Sequence, residues 1–332
     1  MEKQSSENPR LKISIYSRLH LTLLSMHNSE YRINGGLGFA IADPHCNVSV
    51  LSANNFIIND KRTYPLDNDG QSKLANLLLI EKNNFNFPNA AEITISGNMR
   101  PHSGFGTGTA ISLACLEALH LLSKSKPTPA DLIKASGRGG TSGIGIHNYF
   151  SGGFVFDLGR KASNQSHAPS HTIKNSEPPL LLEQRPMPDW EIGICIPSNI
   201  PHKSQAEERE FFQRTCPLSA EAVYATTYHA LFGLYAAIRE ADKTAFCKVL
   251  RTIQDCDWKK AERLEYGQAL MDIEEALYVN GAEAVGMSSL GPSLFFLADN
   301  VAEIIKQMRI ARPDCEWLLT HPVNHGRVLH DV

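Results

Sequence analysis

The sequence predicts an α+β protein with two domains. In the first half, residues 12–17 and 93–96 alternate apolar and polar side chains, as half-buried strands do. The second half shows a strand pattern, then helical segments, then short apolar runs around a last helix. These segments are 190–196, then 218–239, 244–253 and 258–279, then 294–297, 301–309 and 317–320.

The composition is that of a soluble globular protein. The chain has 332 residues, 42% of them apolar and 20% charged, which allows two packed cores and excludes disorder over the whole length. The formal net charge of −3 gives no overall attraction to nucleic acid or to an anionic membrane. Any positive field must therefore be local to a site, and polyanionic polymers are not expected as partners.

Cysteine spacing and hydropathy predict a cytoplasmic protein without an anchor. The seven cysteines are scattered, none forms a C-x-x-C pair, and several lie in apolar runs, as reduced buried thiols do. The amino-terminal residues are polar, and the longest apolar run, 230–238, is far too short for a membrane span.

A change of composition predicts the domain boundary. Residues 161–188 are rich in Ser, Asn, Gln, His and Pro, which is typical of a linker or surface excursion. The predicted domains are therefore 1–160, carrying the phosphate site, and 189–332.

Two glycine-rich loops predict a phosphate site. Residues 136–145 read Ser-Gly-Arg-Gly-Gly-Thr-Ser-Gly-Ile-Gly, and residues 103–110 read Ser-Gly-Phe-Gly-Thr-Gly-Thr-Ala before a helical pattern at 111–119. Glycines let several backbone N–H groups converge on an anion, and a helix amino terminus favours negative charge. A helix predicted at 129–136 ends where the second loop begins. The candidate ligands are Ser103, Gly104, Gly106, Thr107, Gly108, Thr109, Gly137, Gly139, Gly140, Thr141, Ser142 and Gly143.

Cationic side chains near these loops are candidates for contact with the phosphorylated ligand. Arg18 and His20 share one face of the first strand, so both can point at one ligand, although a surface Arg and a hydrogen-bonded His give the same pattern. Arg100 precedes the first loop and Arg138 lies inside the second. Each faces an anion or forms a salt bridge with a carboxylate of the neighbouring domain.

Other polar residues leave two interpretations open. Asp157 ends an apolar strand and is either a magnesium ligand or a turn-forming residue. Ser288, Ser289 and Gly291 form a late cluster that suits one wall of a ligand site, although Gly291-Pro292 is also a turn. A metal site at His167 and His171 is not expected, because both lie in a segment rich in Ser and Pro. The run at 207–210 is typical of a solvated helix face, from which Lys203 and Glu207 could reach a cleft.

Together these motifs resemble the GHMP superfamily and, more closely, its β-ribofuranosylaminobenzene 5′-phosphate synthase family. That family has a second loop Gly-Arg-Gly-Gly-Thr-Ser-Gly-Ile-Gly, which residues 137–145 repeat in full. Residues 104–109 follow its phosphate loop, Gly-Leu-Gly-Ser-Gly-Thr, and residues 288–292 follow its Ser-Ser-x-Gly-Pro motif. Residues 17–20 and 322–326 are similar as well. Ala110 stands where the family usually has Gln, and residues 203–208 replace a His-Gly-Glu-Glu-like segment. These two departures leave open whether the substrate differs from that of the family.

The resemblance implies a fold and a reaction. The fold is an amino-terminal domain like ribosomal protein S5 and a ferredoxin-like carboxyl-terminal domain. The enzyme is a decarboxylating phosphoribosyltransferase that joins phosphoribosyl pyrophosphate to 4-aminobenzoate or 4-hydroxybenzoate, releasing CO2 and pyrophosphate, early in methanopterin biosynthesis. Magnesium with pyrophosphate is implied, an organic cofactor is not, and a homodimer is expected. Arg138, with backbone amides and magnesium, would stabilise the leaving group. Arg18 or Arg100 would hold the 5′-phosphate or the carboxylate, and His20 the ring substituent.

Two alternatives stay open. One is an ATP-dependent GHMP small-molecule kinase, which commonly has a catalytic Asp in the second-loop region, whereas this chain has no carboxylate between Asp131 and Asp157. The other is a catalytically inactive protein that binds a phosphoribosyl ligand on the same fold.

Overall fold

The first sheet is built around a long antiparallel hairpin. The computed structural model describes residues 11–162, 166–170, 172–173 and 177–331. β1 (Leu11–Ser25) pairs with β2 (Arg32–Ala53), and β2 pairs with β4 (Ala90–Gly97), all antiparallel. β3 (Ile57–Asp60) runs parallel to β4 at one edge. At the other edge β12 (Val328–Asp331) returns from the far end of the chain to pair with β1.

Four helices cover part of this sheet. They are α1 (Asn68–Phe85), α2 (Thr107–Leu122), α3 (Pro129–Ser136) and α4 (Ile144–Ser151). α2 is apolar around nearly its whole circumference and is buried, as the helical pattern predicts. The capping box between Thr128 and Asp131 starts α3, whose bounds confirm the predicted helix. Because α3 ends at Ser136 and Gly137 caps it, the second loop begins beside the buried α2.

Three short strands extend the first sheet. β5 (Phe154–Asp157) pairs with β2 and with β7 (Leu181–Arg185), while β6 (Arg160–Lys161) pairs with β2. β7 lies within the segment 161–188 that was predicted to be a linker or surface excursion, and β6 ends at the first residue of that segment. The position of the domain boundary stays a prediction.

The second sheet has four antiparallel strands in the order β11-β8-β10-β9. They are β8 (Ile192–Pro197), β9 (Ala284–Met287), β10 (Leu294–Leu297) and β11 (Cys315–Thr320). The accompanying helices are α5 (Gln205–Thr215), α6 (Ala220–Tyr228), a π-helix (His229–Tyr235), α7 (Ala236–Glu240), α8 (Lys243–Gln254), α9 (Asp257–Leu264), α10 (Gly267–Val279) and α11 (Val301–Ala311). Sheets and helices in this arrangement match the predicted α+β class.

The prediction of one helix over 258–279 is wrong in one respect. The chain forms two helices there, because Gly267 at the start of α10 has a φ of +59°, which an α-helix does not allow. The helix predicted at 218–239 is continuous, but its middle is π-helical. α4 was not predicted, since Gly145 and the glycines that flank the helix, Gly143 and Gly152, are typical of a loop.

An apolar core joins the two halves of the chain. Leu19 and Phe39 of the first sheet belong to the same buried cluster as Ile194 of the second sheet and Phe246 of α8. Loops at this junction are therefore held from both sides. Among the described residues, no helix combines the length and apolar character that a membrane span requires.

Candidate active site

The first glycine-rich loop ends at the amino terminus of α2. Gly104 and Gly106 have φ angles of +83° and +76°, a region that side chains rarely allow. Gly106 immediately precedes Thr107, the first residue of α2. Within the described residues, the backbone amides of Thr107 and Gly108 donate no hydrogen bond. Free amides and the helix dipole make this end of α2 favourable for an anion.

Arg18 on β1 is held against this loop. Its backbone amide donates to the carbonyl oxygen of Phe105 at 3.0 Å, and its guanidinium donates to that of Gly104. The side chain passes over Gly106, where a Cβ atom would lie 3.1 Å from Arg18 Cγ. Burial lowers the pKa of Arg18 to about 10, and nearby carboxylates oppose that shift. Arg18 is therefore a cation at neutral pH.

Arg138 in the second loop reaches the same end of α2. A Cβ atom on Gly108 would lie 3.4 Å from Nη2 of Arg138. Burial lowers the pKa of Arg138, while the carboxylate of Glu208 raises it. The side chains of Arg18 and Arg138 thus both lie against the start of α2, beside Gly106 and Gly108 respectively. Two cations at this helix end suit a ligand with several negative charges better than the helix end alone would.

His20 is buried beside these cations. Its ring packs over Gly36, where a Cβ atom would lie 3.3 Å from Nε2, and its Nδ1 has no hydrogen-bond partner among the described residues. Burial lowers the pKa of His20 well below its ordinary value, and the charges of Arg18 and Lys259 lower it further. His20 is therefore neutral at pH 7 and can give or accept one hydrogen bond in a binding site.

The late cluster supports the first loop. Ser288 Oγ donates to the carbonyl oxygen of Gly104 at 2.8 Å and accepts the backbone amide of His20 at 3.0 Å. The amide of Ser289 donates to the carbonyl oxygen of His20 at 3.4 Å. Gly291 presses on Gly104 so closely that a Cβ atom would lie 2.4 Å from the Gly104 nitrogen. These residues shape the loop from behind, whereas their direct contact with a ligand stays a prediction.

Most of the second loop is bonded within the protein. Thr141 donates from its amide to Ser170 Oγ at 3.1 Å and from Oγ1 to the carbonyl oxygen of Ala168 at 2.6 Å. A Cβ atom on Gly139 or Gly140 would lie 2.8 Å from an isoleucine side chain, whereas the space beside Gly137 is open. The loop therefore acts as a scaffold that presents Arg138.

Asp157 anchors the same loop. Its carboxylate accepts from the amide of Gly143 at 3.0 Å, from Ser142 Oγ at 3.3 Å and from the amide of Gly159 at 2.9 Å. Burial raises the pKa of Asp157 to about 7 although these three donors lower it. A carboxylate already occupied in this way is a poor magnesium ligand. The described residues contain no cluster of three His, Cys, Asp or Glu side chains able to hold a metal ion.

The remaining predicted residues lie around the helix end. Ser103 Oγ donates to the carbonyl oxygen of Pro101 at 3.3 Å, and Thr107 Oγ1 donates to that of Arg100 at 2.7 Å. The side chain of Thr109 lies 3.5 Å from the position of a Cβ atom on Gly145, so the two loops touch there.

Arg100 is engaged elsewhere. Its guanidinium forms a salt bridge with Glu316 of β11 and donates to the hydroxyl of Tyr64 at 2.5 Å. The guanidinium also lies over the Tyr64 ring, 3.7 Å from its centre. The salt-bridge interpretation left open by the sequence matches this geometry, and Arg100 does not join Arg18 at the helix end.

His167 also has other partners. Its Nδ1 lies 2.9 Å from Asn34 Oδ1 and its Nε2 lies 3.1 Å from the carbonyl oxygen of His27. These contacts place the ring in a hydrogen-bond network rather than in a metal site. His171 lies outside the described residues.

Sequence reasoning missed the acidic side of the site. Glu208 on α5 interacts with the charges of Arg18 and Arg138, and burial together with the nearby Glu262 raises its pKa to about 7. The sequence pointed to Glu207, which is exposed and completes the capping box of α5. Glu208 stands three and four residues before Phe211 and Phe212, which are buried, so helical spacing could have identified it.

Comparison with known proteins identifies a family and two relatives that this chain resembles. Residues 72–152 match the GHMP kinases N terminal domain family. The chain is 30% identical over 312 residues to the β-ribofuranosylphenol 5′-phosphate synthase of Methanothermobacter thermautotrophicus, covering 90% of this chain and 94% of that protein. The enzyme of the same name from Archaeoglobus fulgidus is 29% identical over 323 residues, covering 95% of this chain and 98% of that protein.

Solved structures share the fold. A putative sugar kinase from Campylobacter jejuni has a TM-score of 0.69 at 15% identity and covers 99% of this chain and 100% of its own. A homoserine kinase from Cytophaga hutchinsonii has a TM-score of 0.66 at 16% identity, with the same coverage of both chains. At these identities the likeness is one of fold, and it confirms the predicted two-domain class.

Proposed function

Because this chain belongs to the β-ribofuranosylphenol 5′-phosphate synthase family, we propose that it makes an aryl C-riboside 5′-phosphate. The donor is phosphoribosyl pyrophosphate, the acceptor is a 4-substituted benzoate, and CO2 and pyrophosphate are released. The family predicted from the loop motifs is confirmed by these relatives. Since their name specifies a phenol, 4-hydroxybenzoate is favoured over 4-aminobenzoate as the acceptor.

The observation that carries this proposal is that Arg18 and Arg138 both lie against the start of α2, beside Gly106 and Gly108. When the bond from ribose C1 to pyrophosphate breaks, the electron pair leaves with the pyrophosphate and C1 becomes oxocarbenium-like. The fixed guanidinium of Arg138 and the free amides of Thr107 and Gly108 stabilise the charge that develops on the leaving group. Such donors act without reorganisation because the loops are already held.

The acceptor ring supplies the electron pair of the new bond to ribose C1. The ring carbon that bears the carboxylate lies para to the hydroxyl, so removal of the hydroxyl proton pushes electrons toward it. That carbon attacks ribose C1, and loss of CO2 then restores the aromatic ring. Glu208, with a pKa of about 7 and beside both arginines, is our candidate for the group that accepts the proton.

His20 and Arg18 complete the proposed site. The neutral ring of His20 suits a hydrogen bond to the hydroxyl of the acceptor, as the resemblance implied. Arg100 is paired with Glu316, so between the two arginines predicted to hold the 5′-phosphate or the carboxylate we choose Arg18.

We propose that magnesium is carried mainly by the pyrophosphate. The oxygens of Asp157 already accept three hydrogen bonds, and Glu208 is our candidate for the proton acceptor, so the pyrophosphate would supply most of the ligands. Magnesium commonly uses one or two carboxylates together with substrate phosphates. When bound, it supplies additional neutralisation of the leaving group.

The test is turnover with a labelled acceptor. Purified protein is incubated with phosphoribosyl pyrophosphate, magnesium and carboxyl-labelled 4-hydroxybenzoate or 4-aminobenzoate, and CO2 and pyrophosphate are measured. Equal release of both products from one arene supports the proposal and identifies the acceptor. Phosphoryl transfer from ATP with no CO2 indicates the kinase alternative, and tight donor binding without release indicates the inactive binding protein.

We also propose a reducing, cytoplasmic compartment and a homodimer. All seven cysteines are free thiols, which agrees with such a compartment. Fractionation of the source cells tests the location, and light scattering of the purified protein tests the dimer.

A further inference from the structure

The outer edge of the second sheet is bonded by side chains from three helices. β9 is the edge strand, so one side of its backbone has no strand partner among the residues that the structure describes. The hydroxyl of Tyr278 in α10 accepts the amide of Val285 at 3.2 Å. Gln254 Oε1 accepts the amide of Met287 at 3.2 Å, and Lys259 Nζ donates to the carbonyl oxygen of Met287 at 2.7 Å. Met287, the last residue of β9, is thus held at both its amide and its carbonyl.

The two side chains that hold Met287 are costly to bury. Gln254 is 1% exposed, and its Nε2 has no partner within the described residues. Lys259 is fully buried and pairs with Glu262 at 2.5 Å. A buried ion pair is often no more stabilising than apolar residues of similar volume. Stability alone therefore does not account for this arrangement, and a role in fixing the position of Met287 does.

The residue that follows Met287 touches the candidate active site. Ser288 binds the carbonyl oxygen of Gly104 and the amide of His20 through its Oγ. Its carbonyl oxygen lies only 2.0 Å from the position that a Cβ atom on Gly104 would take. Because these groups are closely packed, a displacement of Met287 must move Ser288 and the first loop with it.

We infer that Gln254 and Lys259 are positioning residues that set the first glycine-rich loop through Met287 and Ser288. They act on pyrophosphate binding without contacting the ligand, and this role rests on the proposed function of the loop. Tyr278 provides a matched control. It makes the same kind of bond to the same strand edge, but two residues further from the loop.

The experiment compares three variants with the wild type. Gln254→Leu removes one bond to Met287, the double variant Lys259→Met/Glu262→Gln removes the other without leaving a lone buried charge, and Tyr278→Phe is the control. Hydrogen exchange is measured at the amides of Arg18 and Thr109, which bond to Phe105 and Gly106. The affinity for inorganic pyrophosphate with magnesium is measured alongside.

We expect Gln254→Leu and the double variant each to speed exchange at these amides and to weaken pyrophosphate binding by about tenfold or more, because small displacements of preorganised donors are costly. Tyr278→Phe should leave both quantities within about twofold of wild type, even though the loss of its bond to Val285 lowers the free energy of unfolding. If the double variant does not fold, Gln254→Leu decides the question.

Unchanged exchange in Gln254→Leu, or an equal change in Tyr278→Phe, overturns the inference. Failure of the proposed function has a different signature. The wild type would then release no CO2 from either arene, while the exchange comparison, which needs no substrate, would still give its answer.

Discussion

Ser288 Oγ lies 2.8 Å from the carbonyl oxygen of Gly104, 184 residues away in sequence. Ser288 Oγ also accepts the backbone amide of His20 at 3.0 Å. One hydroxyl from the second half of the chain therefore fixes both β1 and the first glycine-rich loop. The first glycine-rich loop is therefore held by the late motif as well as by the backbone conformation of its own glycines.

Loss of this hydroxyl should weaken the loop. We expect Ser288→Ala to lower the free energy of unfolding by about 1–3 kcal/mol, because the buried amide of His20 loses its acceptor and the carbonyl oxygen of Gly104 loses one of its two donors. Pyrophosphate affinity should fall as well. Urea unfolding and calorimetric titration with pyrophosphate measure the two effects. Ser293→Ala is the control, since Ser293 Oγ is buried without a partner among the described residues. Equal effects of both substitutions would remove the special role of Ser288.

Gly104 should tolerate no side chain. Gly104→Ala must place Cβ 2.0 Å from the carbonyl oxygen of Ser288 at a φ of +83°, so we expect a loss of roughly 3 kcal/mol or more in the free energy of unfolding. Gly267→Ala separates the effect of the positive φ angle from that of the close contact, because Gly267 has a φ of +59° but no atom within 4 Å of the added Cβ. That control should lose about 1 kcal/mol. Similar losses in the two variants would mean that the contact with Ser288 is not rigid.

Local patterns predicted the parts of the fold that are determined locally. The helix at α3 follows from Thr128 and Asp131, which meet within one turn. The glycines of the first loop predict a backbone with positive φ angles, and Gly104 and Gly106 have them. Each of these features depends on neighbouring residues, so a single sequence carries the information.

The partners of the site residues could not be predicted in this way. Arg100 was a candidate because glycines follow it, yet Glu316 and Tyr64 bind it, and neither is near in sequence. Lys259 lies on a helix with an ordinary polar pattern, and its burial arises from packing against β9. Long-range packing decides which cation is paired with a distant carboxylate and which lies at the candidate site. The periodicity of a single sequence does not contain this information.

Arg138 should be needed for turnover more than for folding. We expect Arg138→Ala to lower kcat/KM for phosphoribosyl pyrophosphate by roughly 10²-fold or more, because a donor to developing charge typically contributes that much. Arg138→Lys should recover part of this loss, since an ammonium keeps the charge without the two-pronged geometry. The exposed Arg239 provides the control substitution to Ala, with kcat/KM expected near wild type. A loss below about tenfold in Arg138→Ala contradicts the assigned role.

The pH dependence of turnover should report on Glu208. Its pKa is raised to about 7 by burial and by the nearby Glu262, and a base acts in its deprotonated form. We therefore expect kcat/KM to increase with pH through about 7 and then to level off. Glu208→Gln should remove this limb of the profile together with most of the activity.

Glu207→Gln is the matched control for this experiment. Glu207 neighbours Glu208 but is exposed and accepts the backbone amide of Ser204, a bond that Gln can also accept. Its substitution should leave the profile intact, because the group that titrates near pH 7 is retained. If Glu208→Gln keeps the rise through pH 7, the base must be sought among the other groups that face Arg18 and Arg138. If the wild type shows no rise, proton removal from the acceptor does not limit kcat/KM.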